Sequence, residues 1–589
     1  MKGFDTLKVK SAVKQHNKFD LSRTHLTTMD FGEIVPMFVE ETIPGDKFNI
    51  DGEYFSRMAP LVRPTYGKFE YKTVAGFVPY HQIAYDADAW LAGKTTWEGT
   101  TPMHRYFTVE SLFSFFNDYC TTGTTGGSAV TSANTEFTYF DIAGTIVYKV
   151  FTAQGKYWKK VMNALGYTVP QGVDLRTNST WTTTVRNNKL SAYPFLAFFK
   201  LYNDYMSQSQ RYNSSILSDY LRQIKYNQTI SNIYSNGALT STALQAFFTW
   251  LRLNYENDYF TSAWQQPNNA INSVENVSNI TVPTSVNGGS LGLVQSTVSD
   301  NLAAVPVVSS VVNLGQRALD FLKSFDDWVR RNNYSGSRAV QQIYSRFGVK
   351  TDDYKSHYAQ VISTDRMPVQ VGDITSTADA NGVVLGDYAG KGIMNGSKSV
   401  SVSVSDYGVI LILGYFTVAP MYAFGYDRRV LRSTPLDYYN PEFDGLGADA
   451  ISVGEVWASP ISTGGTVLDN SIFGFTERYN AYRYGRDVIT GEFRDYRKDG
   501  DMNVWHTGRN LEDLRTAGSL VAQSTSMNTL PQTNSEYNRI FNVTSGENNH
   551  FYMTARFKVD AVRPMLNLNQ VPRLGEGDTV VPRNGNVIS

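Results

Sequence analysis

Seven histidines and a single cysteine are the residues of this 589-residue chain best suited to metal binding or nucleophilic chemistry. The histidines are His16, His25, His81, His104, His357, His506 and His550. No two stand four residues apart, the spacing that sets two imidazoles on one helix face for zinc. Cys120 alone can build neither a thiolate site nor an intramolecular disulfide, which fits synthesis in a reducing cytoplasm. No phosphate-cradling Gly-x-x-x-x-Gly-Lys-Ser/Thr loop occurs, and Gly288-Gly289-Ser290-Leu291-Gly292 sits in a polar tract that reads as a flexible loop. The adjacent acids Glu40-Glu41, Asp326-Asp327 and Asp352-Asp353 read as solvated pairs. Glycosidase carboxylates can stand far apart in sequence, so that class stays open on this count. His506 beside Trp505 reads as a structural aromatic–polar pair. The expectation is therefore no catalytic residue, no metal and no cofactor.

Binding chemistry is more visible. The first 25 residues hold Lys2, Lys8, Lys10, Lys14, Lys18 and Arg23 against Asp5 and Asp20, without a hydrophobic period. Two readings stand: a solvated arm, or an arm lying on nucleic-acid phosphates through Lys8, Lys10, Lys14, Lys18 and Arg23. The formal net charge of −1 excludes a chain that is polycationic throughout, so any such contact must be local. The N-terminus lacks the apolar run of a signal peptide.

The elements that would position these groups are mostly strands. Aromatics reach 13%, with 37 Tyr and 33 Phe, while only 18% of residues are charged. Strands and turns are favoured by such a composition. From Phe31 to Pro79 short apolar runs alternate with turn signals such as Pro44-Gly45-Asp46. Val400, Val402 and Val404 alternate with serines. Phe551, Met553, Ala555, Phe557 and Val559 alternate with Tyr552, Thr554, Arg556 and Lys558, so one face should be buried. The uncharged run Tyr407 to Tyr426 is long enough to span a bilayer, but its glycines, Pro420 and β-branched residues predict a buried strand. Helical spacing marks Leu196–Met206, Ile216–Ile224, Thr240–Leu253 and Leu314–Arg331. Thr121 to Thr135 and Thr375 to Ser399 read as polar loops.

The pattern predicts a mainly β chain: an eight-stranded antiparallel jelly-roll β-sandwich with long loop insertions that contain helices. The expected division is a basic arm over 1–30, one jelly-roll domain over 31–570 and a tail over 571–589. Insertions are expected at about 100–140, 206–312 and 313–400.

Collinear blocks add a resemblance. Phe19-Asp20-Leu21-Ser22, Ile34-Val35-Pro36, Val39-Glu40-Glu41 and Pro44-Gly45-Asp46-Lys47-Phe48 open the series. Ser191 to Phe195 with Tyr202-Asn203-Asp204-Tyr205, then Asp258 to Ala263, follow. Arg346-Phe347-Gly348-Val349, Asp437 to Phe443, and Phe473 to Tyr479 with Tyr482-Arg483-Tyr484 complete it. Together they resemble the major capsid proteins of microviruses, small single-stranded-DNA phages, of the gokushovirus-like or a related Bacteroidetes-associated branch. Pro44, Gly45, Asp46, Phe475, Glu477, Arg478, Tyr479, Tyr482, Arg483 and Tyr484 carry the signature as structural residues.

The resemblance implies a structural virion protein, made in the bacterial cytoplasm, that assembles with itself into a T=1 icosahedral shell. Its implied partners are packaged circular single-stranded DNA, a small basic DNA-packaging protein, other virion proteins and a bacterial surface receptor, with no membrane insertion. Tyr and Phe, and the stretch Tyr71–Trp97, are the expected interface suppliers. Tyr482-Arg483-Tyr484 with Arg494–Arg497 is expected to form a cation–π arrangement. The alternative is a bacterial β-sandwich carbohydrate-binding protein or glycoside hydrolase.

Overall fold

A computed structural model describes residues 16–91, 101–122, 128–132, 135–207, 216–263, 358–375, 388–444, 448–458, 472–494, 502–509, 532–542 and 549–565, with a few positions between. Nine antiparallel segments form one curled sheet. They are β1 (Asn17–Asp20), β2 (Arg23–Met29), β3 (Val35–Thr42), β4 (Lys47–Met58), β5 (Phe69–Pro79), β6 (Gln360–Thr375), β7 (Tyr388–Ser403), β8 (Gly408–Val418) and β9 (Phe551–Arg563). β1 and β2 pair in turn along β9, and Leu21 between them still donates to the Val559 carbonyl. They act as one interrupted strand. The strand order is thus β1/β2-β9-β4-β7-β6-β5-β8-β3.

The sheet folds over along β6 and β7. Gln360–Val369 of β6 pairs with β5, and Gln370–Thr375 pairs with β7. β7 then passes from β6 to β4 at Ile393. Two faces result, β1/β2-β9-β4-β7 and β3-β8-β5-β6, in the order expected of the jelly roll. Between them lies a core rich in aromatics, where Phe416 of β8 stacks on Phe551 of β9 at 3.9 Å. Arg23 and His25 of β2 reach the carbonyls of Val39 and Met37 on β3, which draws the two free edges together.

The segment Pro44-Gly45-Asp46 closes β3 onto β4 as a tight turn. Gly45 adopts φ +96°, which a side chain would oppose, and the Asp46 amide donates to Ile43 at 3.0 Å. The buried Asp46 carboxylate accepts the Ile43 amide at 2.9 Å and faces Arg563 of β9 at 3.5 Å.

A helical layer lies between β5 and β6 in sequence. It comprises α1 (Val109–Asp118), α2 (Ala153–Ala164), α3 (Tyr193–Tyr205), α4 (Ile216–Lys225) and α5 (Ser241–Thr249). Thr108, Thr152 and Thr240 cap α1, α2 and α5 by accepting a first-turn amide. The layer covers the outer side of β3-β8-β5-β6, so β8 is buried on both sides. Ile410, Ile412 and Phe416 belong to the sandwich core, whereas Val409, Leu411 and Leu413 pack with the helices. Burial on both sides is why the strand Gly408–Val418, within the run Tyr407 to Tyr426, lacks charge. No helix among the described residues is long and apolar enough to cross a membrane.

α3, α4 and α5 fall on three of the expected helices, and Leu314–Arg331 lies outside the described residues. Two expectations need correction. Of the 1–30 arm, Asn17–Asp20 and Arg23–Met29 are strand, because Asp20, Arg23 and His25 find partners inside the molecule. The polar stretch Thr375–Ser399 ends in β7, whose glycines look unlike a strand. A Cβ at Gly392 or Gly396 would meet Met58 or Met367 at 2.4 Å, so these two sulfurs fill the space of the missing side chains.

Candidate assembly surface

Beyond β8 the chain builds a second, smaller core from Tyr259, Phe260, Tyr422, Phe424, Ile451, Trp457 and Phe473. A two-stranded ribbon, Ala448–Ser452 against Ile472–Glu477, forms one wall. Beneath it, Arg428 holds the buried Glu455 at 2.7 Å and Asp449 at 2.8 Å. Glu455 also accepts the Ser452 amide and the Tyr259 hydroxyl, so its charge is fully engaged. Next to this core the buried Arg509 guanidinium pairs with Glu536 at 2.6 Å and lies over the Tyr255 ring at 4.4 Å. One partner removed from such a pair would leave the other uncompensated.

On this base stand three single-turn helices, Arg428–Val430, Pro435–Asp437 and Pro441–Phe443. Asp427 caps the first through the Arg429 amide at 2.9 Å. Hydrogen bonds from Arg429 hold its carboxyl down at about 2. Asp437 accepts the Thr434 and Ser433 amides at 2.7 and 2.9 Å. These caps fix the turns while their apolar side chains stay outside: Val430 is 72% exposed, Leu436 53% and Tyr438 54%. Tyr439, Phe443 and Tyr482 are exposed as well. Arg432 lies over Tyr482 at 4.0 Å, and Arg478 over Phe443 at 5.3 Å and Tyr479 at 5.2 Å. Tyr479 is buried at φ +61°, and every other non-glycine positive φ among the described residues belongs to an asparagine. Such a conformation persists only where its surroundings impose it.

Exposed apolar patches of this kind mark contact surfaces. Tyr and Arg are the residues that dominate protein interfaces, and immobilised anchors lose little entropy on docking.

The signature residues gather here. Phe475 and Glu477 lie on the ribbon, and Tyr484 stacks on Tyr259 at 4.8 Å. Arg483 bonds Asp444 at 2.9 Å, with Glu477 at 3.9 Å. Arg483 does not make the expected cation–π contact, because carboxylates take it; Arg432 lies over Tyr482 in its place, and Arg478 lies over Tyr479. Arg497 lies outside the described residues. Tyr71, named among the interface suppliers, is fully buried in the sandwich. Pro44, Gly45 and Asp46 sit apart, at the turn described above.

Of the basic candidates, Lys8, Lys10 and Lys14 lie outside the described residues. Lys18 pairs with Asp560 at 2.9 Å. Arg23 pairs with Glu40 at 3.0 Å and lies over the Phe38 ring at 4.1 Å, and burial lowers its pKa. His506 is structural: the Gly508 amide donates to its Nδ1 at 3.0 Å, and Nε2 donates to the Phe493 carbonyl at 2.8 Å. Burial lowers its pKa, so the neutral ring is favoured.

A rigid patch of aromatic and arginine anchors on a two-faced β-sandwich suits docking surface on surface. The sequence profile of the family described as Capsid protein (F protein) matches residues 7–96 and 164–573, and the chain belongs to that family. It is 22% identical over 561 residues to the capsid protein VP1 of Chlamydia phage 1, covering 88% of this chain and 90% of that protein. It is 22% identical over 529 residues to the capsid protein VP1 of Bdellovibrio phage phiMH2K, covering 83% and 84%. The chain is thus a phage virion protein of the microvirus kind, a capsid subunit and not an enzyme, and it assembles with itself. The hydrolase alternative is set aside.

Proposed function

We propose that copies of this chain dock through the 426–488 surface and close into a T=1 icosahedral shell around a circular single-stranded DNA genome. The exposed, pre-set Arg/Tyr patch supports this reading above all. Heterologous contacts close rings about the five-fold and three-fold axes, and isologous ones close the two-folds. Obligate interfaces of this type bury about 2,000 Å² or more. Synthesis takes place in the bacterial cytoplasm. Polar insertions between strands face outward for attachment to a host receptor, since loops vary while the sandwich holds. A small basic packaging protein shares the charge of the genome, and other virion proteins complete the particle.

Sedimentation and negative-stain imaging of the purified chain test the reading. Closed shells or pentameric pieces are expected from the wild type. Val430→Asp with Tyr438→Asp should stay folded by circular dichroism and sediment as smaller species. Wild-type chain that remains monomeric at high concentration refutes the reading, as do normal shells from the double variant for the role of this surface.

A further inference from the structure

The open sheet face carries a feature the assembly reading does not use. Alternate residues of β2, β9 and β4 point outward and stand in cross-strand rows. Thr28, Tyr552 and Arg57 form one row, and Leu26, Thr554 and Phe55 the next. Leu26 is 81% exposed, Tyr552 51% and Phe55 36%, so the floor is apolar and, among the described residues, uncovered. α2 stands along its side and presents Lys156, Lys159 and Lys160, and together they enclose a groove of 710 Å³.

The charge of this groove is one-sided. Its lining holds Arg57, Lys156, Lys159 and Lys160 and, among the described residues, no carboxylate, in a chain whose net charge is −1. Lys160 is held by Glu33 at 2.6 Å behind the wall, and Lys156 stands 3.8 Å from Glu136. Arg57 and Lys159 have no acidic partner among the described residues; they lie instead over the Phe55 and Phe151 rings at 5.6 and 4.5 Å. Asn163 and Asn549 supply amide donors and acceptors at the rim.

We infer that this groove seats a single-stranded polynucleotide, with phosphates on Arg57 and Lys159 and bases on Tyr552, Phe55 and Leu26. Exposed aromatics beside unpaired cations are the recurring platform for single strands, because every base has a π-face. A basic peptide is excluded by the same cations. Lys156, Lys159 and Lys160 fall in the stretch 97–163, between the two segments that the family profile matches. The inference rests on the proposed enclosure of single-stranded DNA and names where the strand is held.

The test titrates a fluorescent twelve-residue oligo(dT), and the same length of oligo(U), with the full-length chain at several salt concentrations. Sedimentation of each protein runs in parallel. Arg57→Glu with Lys159→Glu should weaken binding at least about tenfold and flatten the log–log salt slope by about 1.4, some 0.7 for each lost phosphate contact. Phe55→Ala with Tyr552→Ala should weaken binding by about tenfold with the slope unchanged. Wild-type affinity retained by both double variants, with assembly intact, overturns the groove and leaves the capsid reading standing. Polyglutamate that displaces the oligonucleotide at equal charge also overturns it, since the groove then takes acidic peptide. Failure of the wild type to assemble strikes the capsid reading itself.

Discussion

On β9, Phe551, Met553, Ala555, Phe557 and Val559 are buried, while Tyr552, Arg556 and Lys558 between them are exposed. On β8, every residue from Gly408 to Val418 except Tyr415 is buried. The two strands belong to opposite faces of one folded sheet and differ in what lies behind them. The helical layer covers β8, and among the described residues only the flank of α2 stands beside the outer side of β9. The covered face joins two cores and is where stability is concentrated. The open face keeps polar and aromatic side chains available to other molecules.

This contrast is tested most severely at Leu411, which is fully buried between β8 and the helices. Leu411→Ala should lower unfolding stability by about 2–5 kcal/mol, whereas Arg556→Ala on the open face should stay within about 0.5 kcal/mol. Urea midpoints of the dissociated subunit measure both. Equal shifts would mean that the helices do not lock the covered face.

Arg23 comes next, because it ties the edge of the open face to the covered one. Its guanidinium bonds Glu40 and the Val39 carbonyl and lies over Phe38. Arg23→Ala should cost about 1.5–3 kcal/mol, the range for hydrogen bonds that involve a charged partner. Arg23→Lys should recover only part of that, since an ammonium cannot fork between two acceptors.

Much of this contrast could be read in the sequence. Period-two alternation marked β9, and an uncharged β-branched run marked β8, since each pattern records directly how many faces are buried. β7 was hidden because its glycines take meaning only from Met58 and Met367, distant in sequence. The anchors Arg432 and Arg478 were similarly hard to assign, because which arginine reaches a ring depends on which acids claim its neighbours. The lysine wall of the groove left a readable trace: Lys156, Lys159 and Lys160 have the i, i+3, i+4 spacing of one helix face. What no pattern gave was that this face overlooks an uncovered sheet.

Acid sensitivity should arise from packed regions and not from the open face. His506 beside the small core and His104 beneath the helical layer both have pKa values lowered from 6.5, chiefly by burial. A histidine depressed in the folded state binds fewer protons than in the unfolded chain. Its contribution is complete above pH 6.5 and is lost as the pH falls through its depressed folded value. His506→Gln keeps an acceptor and a donor for Gly508 and Phe493. The variant should lose less stability than wild type between about pH 6.5 and pH 5 in urea titrations. Parallel curves would mean that His506 is not held neutral.

The smallest effect is expected at Lys18. Its ammonium meets Asp560 at 2.9 Å, but the two side chains are 64% and 31% exposed. Water screens such a pair, and ordering two flexible side chains offsets most of the attraction. Lys18→Ala should therefore change stability, measured by urea titration, by less than about 0.5 kcal/mol, well below Arg23→Ala five positions further along the same edge. A lysine held so loosely could exchange Asp560 for a phosphate at little cost. If Lys18 touches the packaged strand, Lys18→Ala will flatten the salt dependence of oligo(dT) binding by about 0.7 while the subunit stays equally stable. A stability loss above about 1 kcal/mol would instead make Lys18 a clasp of the sheet edge like Arg23, and the distinction between an open and a secured edge would then fail at this strand.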